Sequence, residues 1–433
     1  MTLPGFFLCY FETTRRCDQS CPNCMTELAT PPTRAELSTD EARRLVLDEL
    51  KAICPNGAVS FSGGEVLQRA DHLELIAHNA QNGLYTIVNT SGNGLDSTRL
   101  KQLKRAAAGR LTMGFSLDSV DADVQRKCRS GCQANLEQLL RVCDENQVAY
   151  FVLVTVSRQN LATLKTTMEW LYANRVAVIR SPFVPRGSAA KARQLCFDRT
   201  DMETWIHPAL RDNPLSYVSY APFFAAPDAT HLSLGGRGLN LGNLGCQAGR
   251  TFIGINAEGD VAPCVHLLDS PVCCGNVRDQ PLSRIFAESG IMRRLRGERP
   301  AKGKCARCRY GDSCRGCRAL AFYHTGDYLA EDPTCFFEPE NRETRSPYED
   351  MQTAHTRAFL GHLVRNRPWS EIFGAAGWLG VNLLNLKARL NAFLGHLVRN
   401  RPWSEIFGAA GRLGVNLLNL KARLGEFLGT HRR

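Results

Sequence analysis

The sequence has 433 residues, of which 44% are hydrophobic, and a formal net charge of +11. This length predicts two or three domains with a sizeable core. Residues 358–433 alone carry 11 Lys/Arg against 3 Asp/Glu, so the charge belongs to a tail and does not predict nucleic-acid binding. The first apolar run lacks a basic segment before it, and no run reaches about 18 apolar residues. We therefore expect a cytoplasmic protein whose 18 cysteines serve mainly as metal ligands.

Runs of apolar, β-branched or aromatic residues alternate with helical patterns in the first part of the chain. The six predicted strands span 6–14, 58–64, 84–92, 111–119, 149–157 and 176–184. The clearest helix opens on Ser38, and Glu41 three residues later fits a capping box. Strands that alternate with helices predict βα units and a parallel sheet. Six units are too few for a closed eight-stranded barrel, so a partial barrel or an open doubly wound sheet is predicted.

Four regions are predicted along the chain. They are a core at 1–187, a connecting segment at 188–245, a cysteine-rich metal-stabilised domain at 246–340 and a basic amphipathic helical tail at 341–433. The tail contains two copies of a 34-residue repeat, 358–391 and 392–425, which differ at two positions. So close a match indicates a recent tandem duplication.

Three cysteines, Cys17, Cys21 and Cys24, follow the first predicted strand with C-x3-C-x2-C spacing. A structural zinc site is closed by four ligands, and an iron–sulfur cube normally takes four cysteines. Three cysteines leave one metal position open, which is typical of a catalytic site. A fourth ligand from elsewhere in the chain would instead make a closed structural site, and the spacing leaves both alternatives open.

A second motif, Gly63, Gly64 and Glu65, ends the second predicted strand. Two glycines let a backbone come close to a ligand, and the carboxylate after them can accept a charge-assisted hydrogen bond from an ammonium group. Taken alone, this triplet is often only a turn. Here it and the cysteine motif both stand at the carboxyl ends of strands, where α/β folds place their sites.

In the order of these motifs, residues 6 to about 187 resemble the radical S-adenosylmethionine (SAM) enzymes. The resemblance implies a partial (β/α)6-type barrel in which the three cysteines hold a [4Fe–4S] cluster. The open iron would chelate the amino and carboxylate groups of SAM, and Gly63, Gly64 and Glu65 would take the SAM ammonium. It also implies reductive cleavage of SAM to a 5′-deoxyadenosyl radical, which abstracts hydrogen from an unactivated carbon of the substrate.

Further SAM contacts are implied by later strand ends. Ser91 lies in a TSG segment where the family often has TNG, and Ser116 and Asp118 lie in a segment similar to the one that reaches the SAM ribose. Asn23 departs from the aromatic residue that usually precedes the third cysteine. That difference concerns the packing around the adenine and not the binding of the cluster.

A second set of cysteines follows the core with the spacing C-x12-G-x4-C, C-x2-C-x5-C-x2-C and a final C. By itself this pattern favours zinc ribbons. After a radical SAM core it resembles the SPASM extension, which carries auxiliary [4Fe–4S] clusters, although the family often has x3 where this chain has the last x2. One cluster would be held by Cys305, Cys308, Cys314 and Cys335. The other would be held by Cys246, Cys264 and Cys317, with an open iron or with Cys273 or Cys274 as the fourth ligand.

The function implied is that of a SPASM-type radical SAM enzyme supplied with electrons by a flavodoxin or ferredoxin. Family analogy favours a ribosomal peptide or protein side chain as the substrate, and the apolar basic tail favours a membrane lipid or a tetrapyrrole instead. A zinc-stabilised binding protein without catalysis is the alternative of another class. The tail predicts peripheral contact with an anionic membrane, or else a helical pair that packs on the core or on a second subunit.

Overall fold

The structure is a computed structural model, and the statements below concern the residues that it describes. These are residues 7–26, 34–55, 57–129, 135–174, 176, 178–211, 218–219, 246–297, 301–308, 311 and 314–338. The predicted tail and most of the connecting segment lie outside the described residues. In the described ranges, a helix with the length and apolarity needed to cross a bilayer is absent.

Ten strands form one sheet. They are β1 Leu8–Thr14, β2 Ala58–Gly63, β3 Tyr85–Thr90, β4 Leu111–Ser116, β5 Ala149–Val156, β6 Val178–Pro182, β7 Val218–Ser219, β8 Phe252–Ile255, β9 Asp260–Ala262 and β10 Gly275–Asn276. Their order across the sheet is β10-β9-β8-β1-β2-β3-β4-β5-β6-β7. Neighbours from β1 to β7 are parallel, so the six predicted strands and the partial barrel are confirmed.

Helices separate the core strands, as the alternating pattern predicts, and further helices follow β10. They are α1 Thr39–Glu41, α2 Asp48–Ile53, α3 His72–Gln81, α4 Ser97–Ala106, α5 Ala122–Cys128, α6 Leu136–Glu145, α7 Leu161–Ala173, α8 Arg199–Asp201, α9 His207–Arg211, α10 Leu282–Glu288, α11 Gly290–Arg296, α12 Gly303–Arg307 and α13 Arg318–Thr325. A π-helical stretch, Ala42–Leu47, joins α1 to α2, and Met202–Ile206 joins α8 to α9. The capping box at the start of α1 is confirmed, because Ser38 and Glu41 bond each other's backbone N–H.

The parallel strands have one apolar and one polar face. Phe11, Val88 and Met113 belong to the buried hydrophobic cluster that includes side chains of the helices. Because successive side chains point to opposite sides, the residues between them share the other side, called the polar face. Its polar residues are Tyr10, Glu12, Ser60, Ser62, Asn89, Ser116, Thr155 and Ser181, and the apolar residues Ile87, Phe151, Leu153 and Ile179 lie among them. Tyr10 and Glu12 place this face near Cys24 of the loop after β1.

The cysteine-rich region shares the sheet of the core. Its first strand, β8, pairs in parallel with β1 from Leu8 opposite Phe252 to Phe11 opposite Ile255. β9 and β10 continue the sheet by antiparallel pairing. The sequence predicted this region as a domain that follows the core, and the structure adds that its first strands are built onto the core sheet.

Candidate functional site

The loop after β1 carries Cys17, Cys21 and Cys24, each of them partly exposed. Burial raises the pKa of Cys17 to about 11 and that of Cys21 to about 12, and it also raises the pKa of Cys24. Cys24 and Cys17 add to this effect on Cys21. A thiol binds metal as the thiolate, so a bound cation must compensate three negative charges in this loop. The donor set therefore fits an iron–sulfur cluster held by three cysteines.

Gly63 and Gly64 lie in close contact with the backbone of this loop. A Cβ at Gly63, where φ is +126°, would overlap the carbonyl oxygen of Thr14, and a Cβ at Gly64 would overlap that of Arg16. Two backbone bonds cross the contact, from Gly64 N to Thr14 O at 2.8 Å and from Glu65 N to Arg16 O at 2.7 Å. The glycines thus allow the cysteine loop itself to approach the end of β2. The expectation that they contact SAM stays a prediction.

The far end of the loop is held by the segment after β6. Ala189 N donates to Cys24 O at 3.1 Å, and Ser188 N donates to Thr26 O at 3.3 Å. Gly187 has a φ of +59°, and a Cβ there would overlap the carbonyl oxygen of Met25. The cysteine loop is therefore clamped between the ends of β2 and β6. No local sequence pattern identified the second clamp.

Glu65 is buried, and both oxygens of its carboxylate accept hydrogen bonds from other residues of the protein. Oε1 accepts from Thr90 Oγ1 at 2.8 Å and from Leu67 N at 3.1 Å. Oε2 accepts from Ser91 N at 2.8 Å and from Ser91 Oγ at 2.9 Å. Glu65 thus ties the end of β2 to the end of β3 and brings the predicted residue Ser91 beside it. Direct contact of this carboxylate with the SAM ammonium stays a prediction.

Ser116 and Asp118 stand at the end of β4, as predicted for ribose contacts, but their surroundings differ. Ser116 is partly exposed on the polar face. Asp118 is fully buried, pairs with Arg129 at 2.8 Å and accepts from Thr155 N, also at 2.8 Å. Burial raises the pKa of Cys21, and Arg129 partly offsets this. Asp118 thus holds a guanidinium beside the cysteine loop, and a contact with ribose stays a prediction.

A buried ionic group that the sequence analysis missed lies on the polar face. Arg186 Nη2 donates to Glu12 Oε1 at 2.8 Å and to Asp269 Oδ2 at 3.0 Å, and both Glu12 and Arg186 are about 1% exposed. His266 contacts Ser181 at 3.1 Å. Glu12 could have been noticed as a charged residue inside a strand pattern. Arg186 had no such signal, because its partners are distant in the chain.

The structure brings three of the auxiliary cysteines together. Burial raises the pKa of Cys317, and Cys246 and Cys264 add to this effect. Burial raises the pKa of Cys264 to about 12, with Cys246 as the next cause. The surroundings of Cys274 are instead Ser289, Arg296 and its neighbour Cys273. The ligands of this auxiliary site, and whether one of its irons is open or Cys273 or Cys274 completes it, stay a prediction.

The remaining auxiliary cysteines lie around α12. Burial raises the pKa of Cys305, and Cys308 raises it further. Burial also raises the pKa of Cys335 to about 12, and Cys305 contributes to this increase. Cys314 O accepts from Cys246 N at 2.9 Å, which joins the two auxiliary groups. Among the described residues, no group of three His, Cys, Asp or Glu side chains is placed to hold a single metal ion.

The family comparison matches both parts of this architecture. The model of the radical SAM superfamily matches residues 11–171. The chain is a radical SAM enzyme. A second model, an iron–sulfur cluster-binding domain named SPASM, matches residues 246–318. The cofactors of this radical SAM enzyme are therefore [4Fe–4S] clusters and SAM, and the alternative of a non-catalytic zinc protein is wrong.

Three curated relatives extend over most of the chain. An AdoMet-dependent heme synthase of Methanosarcina barkeri is 30% identical over 76% of this chain and 96% of its own length. Another, from Nitratidesulfovibrio vulgaris, is 28% identical over 78% of this chain and 94% of its own length. A PqqA peptide cyclase of Rhodopseudomonas palustris is 31% identical over 76% of this chain and 86% of its own length.

Two solved structures show the same fold. Native anSMEcpe with bound AdoMet is 14% identical, with a TM-score of 0.58 over 82% of this chain and 98% of its own. Streptococcus suis SuiB bound to S-adenosylmethionine is 17% identical, with a TM-score of 0.57 over 78% of each chain. This enzyme thus shares its fold with these two structures over about four fifths of the chain.

Proposed function

We propose that this enzyme acts on a tetrapyrrole in the formation of heme. The observation that carries the proposal is the extent of the match to the heme synthases, which includes 96% of the Methanosarcina barkeri protein and 94% of the Nitratidesulfovibrio vulgaris protein. The match therefore takes in the cysteine-rich region as well as the core. A tetrapyrrole was the alternative substrate in the sequence analysis. The extent of the match to the heme synthases favours it over a peptide.

The chain's own residues have distinct tasks in this proposal. Cys17, Cys21 and Cys24 would hold the cluster that supplies the 5′-deoxyadenosyl radical when SAM is bound. The two backbone clamps fix the cysteine loop between the ends of β2 and β6. Arg129, held by Asp118 beside this loop, carries the charge that suits the carboxylate of SAM. The polar face would orient the substrate.

The test is an anaerobic incubation of the reconstituted enzyme with SAM, a chemical reductant and iron porphyrins that carry carboxylate side chains. Formation of heme together with 5′-deoxyadenosine, both measured by chromatography and mass spectrometry, is the expected result. A reaction without SAM serves as the control. Formation of 5′-deoxyadenosine with no change in any porphyrin would refute the tetrapyrrole substrate and leave the radical chemistry standing.

A peptide is the second candidate, favoured by the 31% identity to the PqqA peptide cyclase. In this case the enzyme would form a bond within a ribosomal peptide or modify one of its side chains. The same incubation with candidate precursor peptides encoded beside the enzyme distinguishes the two. A peptide that loses two hydrogens only in the presence of SAM would support this candidate.

Electrons for the cluster are proposed to come from a flavodoxin or a ferredoxin. Replacement of the chemical reductant by reduced flavodoxin tests this part separately. Sustained formation of 5′-deoxyadenosine would support it. Activity with the chemical reductant and none with either protein would refute it.

A further inference from the structure

Arg318 is a buried cation between the two auxiliary cysteine groups. It follows Cys317 directly, begins α13 and is 1% exposed. Its Nε donates to Gly316 O at 3.3 Å, and its Nη1 donates to Tyr328 O at 3.0 Å and to Ala330 O at 2.7 Å. Nη2 has no hydrogen-bond partner among the described residues. One side of this buried guanidinium therefore has no acceptor within the described part of the chain.

Among the residues that the structure describes, no carboxylate forms an ion pair with this charge. Within the described ranges, no acidic oxygen lies at ion-pair distance from Arg318. The nearby Asp332 is itself fully buried, and its oxygens accept from Cys317 N at 2.5 Å and from Thr334 N at 3.0 Å. A buried charge is costly unless it is paired. Three carbonyl oxygens lower this cost but do not neutralise the cation.

Cys305 lies at the open side of the guanidinium. A Cβ at Gly316 would overlap Arg318 Nη2 and would stand 3.0 Å from Asp332 Cβ and 3.2 Å from Cys305 Sγ, so these three side chains meet around Gly316. The φ of Gly316 is +60°. The guanidinium therefore stands beside the sulfur atom of a proposed cluster ligand.

We infer that Arg318 is the counter-charge of the auxiliary cluster held by Cys305, Cys308, Cys314 and Cys335, and that it raises the reduction potential of this cluster. Reduction adds one negative charge to a cluster that is already anionic. A fixed cation in a buried, weakly screened position stabilises the reduced form more than the oxidised form. Net charge and hydrogen bonds to the sulfur atoms are among the factors that set cluster potentials. The inference does not depend on which substrate the enzyme uses.

The test is a redox titration of the full-length, reconstituted protein, followed by electron paramagnetic resonance. In Arg318→Gln, the reduction equilibrium constant of this cluster should fall about tenfold, equivalent to about 59 mV for one electron. Arg318→Lys, which keeps the charge, should stay close to the wild type. Arg296→Gln is the matched control, because Arg296 also donates to two carbonyl oxygens but lies beside Cys274, which is not among the four proposed ligands of this cluster.

Two results would overturn the inference. One is a wild-type potential in Arg318→Gln with a full complement of iron, and the other is an equal shift in the Gln and Lys variants. If Arg318→Gln does not retain the cluster, Arg318→Lys becomes the test. A retained cluster of wild-type potential in Arg318→Lys supports the inference, and a lowered potential contradicts it. Loss of the cluster from both variants would assign Arg318 to folding and refute its role as counter-charge.

Discussion

Replacing Gly64 by alanine should detach the cysteine loop from the end of β2. The new Cβ would stand 2.7 Å from the carbonyl carbon of Arg16 and 2.8 Å from the carbonyl oxygen of Arg15, and it would overlap the oxygen of Arg16. All three atoms belong to the backbone, so no side-chain rotation relieves the contact. We expect about 2–5 kcal/mol of local destabilisation, from overpacking and from the weakening of two backbone hydrogen bonds.

The consequence should appear first in iron binding. About four irons should be lost per chain, because the loop would no longer hold a cluster between Cys17 and Cys24. The auxiliary clusters should stay, and 5′-deoxyadenosine should no longer form. The assay is iron and sulfide content after anaerobic reconstitution, with electron paramagnetic resonance of the reduced protein.

Gly290→Ala is the matched control, since a Cβ at the start of α11 would meet nothing within 4 Å. This variant should keep all its iron and its SAM cleavage. Full iron content and wild-type cleavage of SAM in Gly64→Ala would refute the steric reasoning.

Three further predictions concern the cofactors and the tail. Changing Cys17, Cys21 and Cys24 together to alanine should remove about four irons and abolish 5′-deoxyadenosine formation, whereas continued formation at the wild-type rate would disprove the cluster assignment. Glu65→Ala should weaken SAM binding by roughly ten- to a hundredfold in calorimetry, because the Glu65 carboxylate holds Ser91 at the end of β3 by charge-assisted hydrogen bonds, and the loss of such a group costs about 1.5–3 kcal/mol. Iron content should not change. Unaltered affinity of Glu65→Ala for SAM would contradict this prediction. Deleting residues 358–433 should abolish flotation with anionic liposomes and leave iron content intact, and a full-length protein that does not float would contradict the membrane proposal.

The sequence alone determined the elements of the fold and the class of chemistry. Apolar runs of strand length, separated by helical patterns, predicted β1 to β6, and the pair formed by Ser38 and Glu41 predicted where the first helix begins. Both are local signals that do not depend on distant residues. The spacing of the first three cysteines and the Gly-Gly-Glu motif were equally local, and their resemblance to radical SAM enzymes is confirmed by the family comparison.

Only the tertiary structure decided what these motifs contact. The parallel pairing of β8 with β1 joins residues about 240 positions apart, and no short pattern encodes such a register. The contact of Gly64 with SAM stays a prediction, and the structure adds that Gly64 accommodates the backbone of the cysteine loop. The role proposed for Arg318 depends on the place of its Nη2 beside Cys305 Sγ and on the absence of an ion-paired carboxylate among the described residues. A sequence records which charges exist, but the compensation of a buried charge is a property of all the groups that the fold packs around it.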